Sequence, residues 1–416
     1  MSSDNYVLTT NPCKVCSPLG VALALKGVES SMSIMHGSQG CATYIRRYLI
    51  SHFKEPLDIA SSSFSEVSAI FGGKSNLEKA IENVLLKYEP SIIAVAATCL
   101  SETIGDDIKS YCKECTSELG IEIIPITPPS FGGAHLNGFY ATVNSLVLEK
   151  KKGEVKIQDI NIFPSILSPA DLRYLKNIIK QYFPNFMILP DYSKTLDGGF
   201  WGEYIPISPG GTPLDEIGAA HLAKYSIVFS KYLAPEINPG KTLETMSRVD
   251  FFNLRPPIGI RGTDELTQLL CKLSGVKSSP EILEERSRLI DALADSHKYI
   301  FGKKAAIYGD GDFVAGIASF LEEIGIIPVI CGCGTPFPEF KNYIDECLEF
   351  SQATIVKDDM DFDELDSILE SNKVDFLIGN SKGYKISRNK KLPLIRCGFP
   401  IHDRVGGPRI LHVGYA

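Results

Sequence analysis

Eight residues constrain the fold more than any others: Ser91-Ile92-Ile93-Ala94-Val95-Ala96-Ala97-Thr98 carry no charge and show no alternation of polar and apolar side chains. A strand with one wet face alternates. A short apolar run without alternation, stopped by a small-residue turn, reads as a strand covered on both faces, as in a parallel sheet sandwiched by helices. Its neighbours agree. Asn76 to Tyr88 places Leu77, Ile81, Val84 and Leu85 at the three-to-four spacing of an amphipathic helix. A helix over 108–119 and a strand over 122–126 follow. Strand, helix and strand in that order need right-handed crossovers and a parallel sheet.

The same alternation returns twice. Apolar segments at 159–164, 186–190 and 225–229 alternate with helical stretches, among them one capped by Ser168-Pro169-Ala170-Asp171 with proline in its first turn. A third set opens with Lys303 to Gly309, continues with a helix over 313–325, and has strands at 327–331 and 375–379. With 416 residues the chain is long enough for several domains. The expected fold class is α/β: three doubly wound, Rossmann-like domains with mainly parallel sheets, over 1–152, 153–300 and 301–416. The boundary near Lys150-Lys151-Lys152-Gly153-Glu154 rests on a solvated break. Ser63 and Glu66 fit a Ser-x-x-Glu capping box. The turn-rich ending, Gly398 to Ala416, gives a C-terminus expected to be short.

The net charge of −8 speaks against nucleic-acid binding. No run approaches the roughly 18 apolar residues of a membrane span. The opening Met1-Ser2-Ser3-Asp4-Asn5-Tyr6 has neither the basic nor the apolar part of a secretory signal. The expected compartment is the cytoplasm. In that reducing setting eleven cysteines are not a disulfide framework; most should be small buried apolar side chains.

Three of them stand in small-residue turns: Cys16, Cys41 and Cys99, separated by 25 and 58 residues. Thiolates in such turns can reach an iron–sulfur cluster, which usually takes four; the spacing alone also allows buried structural cysteine. His36 reads first as a hydrogen-bonded loop residue, and Arg46 and Arg47 as a solvated helix face. Glu102, Asp106 and Asp107 read as caps of the helix after Cys99. Cys112-Lys113-Glu114-Cys115 lies within a helix and lacks the turn of a redox motif. Cys331-Gly332-Cys333 reads as a tight turn with a lesser metal alternative. Gly309-Asp310-Gly311-Asp312 lacks the last glycine of a dinucleotide loop, Val314 standing there.

Taken as motifs, these residues resemble the β-type side of the nitrogenase component 1 superfamily. Asn11-Pro12-Cys13-Lys14-Val15-Cys16-Ser17-Pro18-Leu19-Gly20 is similar to the first cluster-cysteine segment of that family. His36-Gly37-Ser38-Gln39-Gly40-Cys41 is similar to the second. Thr98-Cys99-Leu100-Ser101-Glu102-Thr103-Ile104-Gly105-Asp106-Asp107 is similar to the third. His52 to Pro56, Phe71-Gly72-Gly73, Leu189-Pro190-Asp191, Gly210-Gly211-Thr212 and Gly398 to Arg404 fall in the family order.

The resemblance implies that Cys16, Cys41 and Cys99 hold the iron of a cluster shared with an α-type partner subunit, of four-iron or eight-iron P-cluster type. It also implies an αβ or doubled assembly and transient docking of an ATP-dependent iron protein that passes electrons in. Two roles compete. One is the NifN-type scaffold for iron–molybdenum cofactor assembly, paired with a NifE-like chain. The other is the catalytic β subunit, paired with a NifD-like chain, or a nitrogenase-like reductase. The scaffold is favoured by Ala134, which stands where catalytic β subunits often carry an oxygen-ligating serine, by the segment Leu189–Gly199, and by the lack of an N-terminal extension. Retention of all three cysteines favours the catalytic subunit.

Overall fold

The computed structural model describes residues 13–128, 133–150, 153–200, 202–203, 205–350 and 355–416. Among the described residues, thirteen strands form three sheets, and every paired strand is parallel. The first sheet holds β1 (Ser31–His36), β2 (Ala60–Ser61), β3 (Ile92–Ala97) and β4 (Glu122–Ile126) in the order β2-β1-β3-β4. The second holds β5 (Ile160–Phe163), β6 (Phe186–Ile188), β7 (Tyr225–Val228) and β8 (Asp250–Asn253) in the order β6-β5-β7-β8. The third holds β9 (Lys304–Gly309), β10 (Ile327–Cys333), β11 (Ile355–Lys357), β12 (Phe376–Gly379) and β13 (Leu394–Arg396) in the order β11-β10-β9-β12-β13. In each sheet the chain runs to one side of its first strand and then crosses to the other. That reversal makes a switch point, and doubly wound sheets hold ligands outside the carboxyl ends of the strands there.

Two compact units contain these sheets. One spans Cys16–Leu289 with His402–Ala416 and carries the first two sheets; the other takes Ile290–Ile401 with the chain up to Val15 and carries the third. Among the described residues no helix is long and apolar enough to cross a membrane.

The apolar run behaves as its composition demands. All six residues of β3 are buried, and so are all six of β1 beside it. Ile93 and Val95 point with Met32 and Ile34 into a core closed by Leu77, Ile81 and Val84 of the helix Lys74–Tyr88, and by Ile108, Cys112 and Cys115 of the helix Ile108–Leu119. Cys112 and Cys115 are therefore packing residues. The helix Ser17–Leu25, buried at all nine positions, packs on β1 and β3 and runs against the helix His135–Glu149. The two helices meet backbone to backbone. A Cβ on Gly20 would stand 1.7 Å from the His135 carbonyl oxygen, and one on Gly138 would stand 1.9 Å from that of Ser17. Only glycine allows this approach, and it fixes the turn that leads into the first helix.

Several local expectations change. Ser63 takes a left-handed backbone (φ 53°) and cannot cap. The cap is Ser65, whose extended backbone lets its Oγ meet Ser68 N at 3.4 Å. Cys331-Gly332-Cys333 belongs to β10 and is not a turn. The Ser168 cap stands as read: its Oγ accepts from Asp171 N at 2.9 Å, and the Asp171 carboxylate accepts from Ser168 N at 2.9 Å. Of the predicted break at 150–154 and the loop at 127–135, residues 151–152 and 129–132 lie outside the described residues. The same holds for Asn11 and Pro12.

Candidate functional site

β1 and β3 flank the switch point of the first sheet, and their last paired residues are His36 and Ala97. Each strand turns at once into a helix. After β1, Ser38 caps the helix Gln39–Phe53 and Cys41 is its third residue. After β3, Cys99 is the first residue of the short helix Cys99–Ile104. Cys16 takes the extended position just before the helix Ser17–Leu25, its carbonyl accepting from Leu19 N at 3.1 Å.

Exposure separates these thiols from the rest. Cys16 and Cys99 are exposed and Cys41 is half-buried, whereas Cys13, Cys112, Cys115, Cys331, Cys333, Cys347 and Cys397 are buried. Cys271, also half-buried, lies in the helix Gly259–Ser274 with its Sγ 3.5 Å from Ser278 Oγ. The trio also shares a field. Desolvation pushes the Cys16 thiol up, the Leu19 N–H pulls the other way, and negative charge on Cys41 and on Cys99 pushes it up further. Cys41 is raised in the same way, first by burial and then by Cys99. Three thiolates at this spot repel one another, so positive charge placed among them would favour their ionised forms. Among the described residues no set of three or more His, Cys, Asp or Glu side chains is arranged to hold a single metal ion.

Beneath the thiols lies a polar network that sequence reasoning resolved only in part. His36 is fully buried, with Nε2 3.0 Å from Asp106 Oδ2 and Nδ1 3.1 Å from Ser62 Oγ. Asp106 also accepts from Gly73 N at 3.0 Å. Of the three acidic residues expected to cap, Glu102 lies in the first turn of the Cys99 helix and Asp107 caps the next helix through Ser110 N at 3.1 Å. Asp106 turns inward instead to the imidazole. No spacing rule links residues 36 and 106. His36 ends β1, whereas Asp106 follows the short helix that comes after β3. Arg46, read as a solvated residue, is half-exposed but engaged: its Nε donates to Leu57 O at 2.7 Å and its guanidinium lies 3.4 Å from Asp58.

A separate open cavity of about 830 Å³ is lined by Lys26, Arg46, Glu55, Asp58, Phe200 and Glu203, among others. Its two cations meet three carboxylates. Burial pushes the Lys26 ammonium down to about 8, against the pull of Asp58. No cysteine lines it.

Three parallel α/β sheets, with Cys16, Cys41 and Cys99 close enough to share a field near the carboxyl edge of the first, place the chain among the doubly wound α/β proteins. Over residues 16–416 the sequence matches the nitrogenase component 1 type oxidoreductase family, and the chain belongs to it. The nitrogenase molybdenum-iron protein beta chain of Clostridium pasteurianum is 37% identical across 99% of this chain and 91% of that protein. The corresponding beta chain of Methanothermobacter thermautotrophicus is 35% identical across 98% and 91%. Among solved structures, a chain of nitrogenase Cp1 at pH 6.5 superposes with a TM-score of 0.94 at 35% identity, covering all of this chain and 92% of that one. A chain of nitrogenase Cp1 at pH 5, 18% identical, shares the fold with a TM-score of 0.72 over 98% of this chain and 88% of that one.

Proposed function

We propose that this chain is the β-type subunit of a nitrogenase-like complex. In this reading Cys16, Cys41 and Cys99 hold one side of an iron–sulfur cluster and an α-type partner subunit holds the other. The observation that carries it is the convergence of three accessible thiols at one sheet edge, in a chain whose other cysteines, apart from Cys271, are buried. The donor set suits a cluster better than an ion. A polynuclear cluster takes thiolates at separate corners and tolerates more ligands from a second chain, whereas a lone ion needs its donors on one point. Iron would supply the positive charge that the three thiolates lack. Bound there, the cluster would supply one-electron transfer; the chain's residues hold the sulfur atoms and the loops around them.

The surroundings favour a covered site. The short helix Glu66–Phe71 packs on the Cys99 helix and leaves Val67, Ile70 and Phe71 64–83% exposed. Contiguous exposed apolar side chains of this kind mark protein contacts. We assign this edge to the α-type partner, in an αβ unit or its dimer, and to transient docking of an electron-donating iron protein.

Between the two roles, the names of the relatives favour the catalytic β subunit over the cofactor-assembly scaffold, reversing the order the sequence suggested. One observation keeps the scaffold in view. Ala134, fully buried at the start of the helix His135–Glu149, carries no oxygen to offer a cluster.

Co-expression with an α-type partner and anaerobic purification test the assignment. The complex should be brown, with iron and a cluster EPR signal, and Cys41→Ala should lose most of that iron. Iron unchanged in that variant removes Cys41 from the ligand set; a colourless wild-type complex removes all three. Acetylene reduction by the purified complex with an iron protein supports the catalytic role, and its absence from an iron-loaded complex supports the scaffold.

A further inference from the structure

We propose that His36 is the positioning residue that fixes Cys99 relative to Cys41, an inference that rests on the cluster reading of these cysteines. The geometry fastens both ends of the Cys99 helix to one residue. At the front, Thr98 Oγ1 donates to the His36 carbonyl oxygen at 2.8 Å. At the back, two residues beyond the last helical position, Asp106 receives the His36 ring at 3.0 Å. Cys41 is tied to the same point through the chain itself, five residues on. The first of those residues, Gly37, leaves no room for adjustment: a Cβ there would stand 2.1 Å from Thr98 Oγ1.

The hydrogen bonds around the ring accommodate a neutral imidazole. Gly37 N donates to Ser62 Oγ at 2.9 Å, so the hydroxyl proton is free to go to His36 Nδ1. The ring proton then sits on Nε2 and is given to the Asp106 carboxylate, which also accepts from Gly73 N. A neutral imidazole with its proton on Nε2 satisfies every partner. Burial favours that neutral form. Phe64 stands edge-on to the ring at 4.8 Å and Tyr111 at 6.5 Å, so the imidazole cannot swing. His36 thus joins three segments: the turn to Cys41, the turn 62–73 that carries the apolar helix, and the Cys99 helix.

Two substitutions separate the ring's two hydrogen bonds. His36→Gln can reach Asp106 but not Ser62 in the same way; His36→Asn can reach Ser62 but falls short of Asp106. In the complex co-expressed with its α-type partner, H36N should release iron to a ferrous chelator about tenfold faster than wild type, the scale on which partners of metal ligands act. Its cluster EPR line shape should also change. H36Q should stay within about twofold of wild type. Asp106→Ala should reproduce H36N, and it decides the matter if the His36 variants do not accumulate. Wild-type release rates and line shapes in both H36N and D106A overturn the proposal while leaving the cysteine assignment intact. A wild-type complex without iron overturns the cysteine assignment itself.

Discussion

At the switch point of the first sheet, β1 and β3 end at His36 and Ala97 and lead into turns whose cysteines reach solvent. At the switch point of the third, β9 and β12 end at Gly309 and Gly379, and the chain closes the place itself. Tyr308, fully buried, donates its hydroxyl to Asn380 O at 2.7 Å, and a Cβ on Gly383 would stand 2.0 Å from the Tyr308 hydroxyl oxygen. Both sheets are rich in cysteine. In the third, however, Cys331 and Cys333 lie inside β10, Cys347 ends the helix Phe340–Cys347, and Cys397 follows β13, all of them buried. Inside a strand a thiol fills a core; past the strand end its fate depends on whether the chain covers it, as it does Cys397 just after β13 and does not Cys99 just after β3.

The largest effect expected from this contrast is in reactivity. In the isolated chain treated with a chelator, iodoacetamide at pH 8 should modify Cys16 and Cys99 first and Cys41 more slowly. Burial pushes the Cys333 and Cys397 thiols up to about 12, so each is ionised about one part in ten thousand at that pH. With no access as well, they should react at least about a hundredfold more slowly than Cys99. Peptide mass spectrometry against time reads this directly. A cysteine of the third sheet labelled as fast as Cys99 would break the comparison.

The next effect is in stability, and it contrasts two glycines. Gly20→Ala drives a methyl into a backbone carbonyl that cannot yield without moving a helix; overpacking of this kind costs about 3 kcal/mol or prevents folding. Gly332→Ala meets only the end of the Met360 side chain, 1.9 Å from its Cε. That flexible chain can turn away, so the cost should stay below about 1 kcal/mol. Urea denaturation of the two variants measures the difference, and equal costs would show that the first sheet's helix pair is not pinned by its glycines.

These contrasts also show what the sequence made legible. The strands covered on both faces, β3, β5, β7 and β9, announce themselves because burial on two sides removes alternation. Of the six edge strands, β4 and β6 show as apolar runs, whereas β2, β8, β11 and β13, two to four residues long, carry no such pattern and exist because a neighbour offers a free edge. The helices over 239–247, 259–274 and 280–300 have no motif in the sequence to mark them. The three cysteines were found through small-residue turns and family motifs. Their burial states follow from tertiary packing, which spacing does not encode. Asp106 was read as a cap because an acidic residue before a helix usually is one. Its true partner lies 70 residues away in sequence and becomes its neighbour only once β1 and β3 pair.

The smallest effect concerns the buried rings at the two switch points, His36 and Tyr308. His36 has its ionisation pushed below the ordinary histidine value by burial, although Asp106 pulls the other way. The unfolded chain therefore takes up this proton at a higher pH than the folded chain does. Above about pH 6.5 both states hold the ring neutral and nothing is lost. As the pH falls through 6.5 toward the folded value, protonation favours the unfolded state and stability declines. Tyr308, raised by burial, stays protonated throughout that range and adds no such slope. Native-state hydrogen exchange at pH 7.5 and pH 5.5, corrected for intrinsic rates, should show protection of the β1 amides falling, with the β9 amides unchanged. H36N should flatten the β1 response. If β1 and β9 change together, the pH dependence belongs to global unfolding and His36 is not its source.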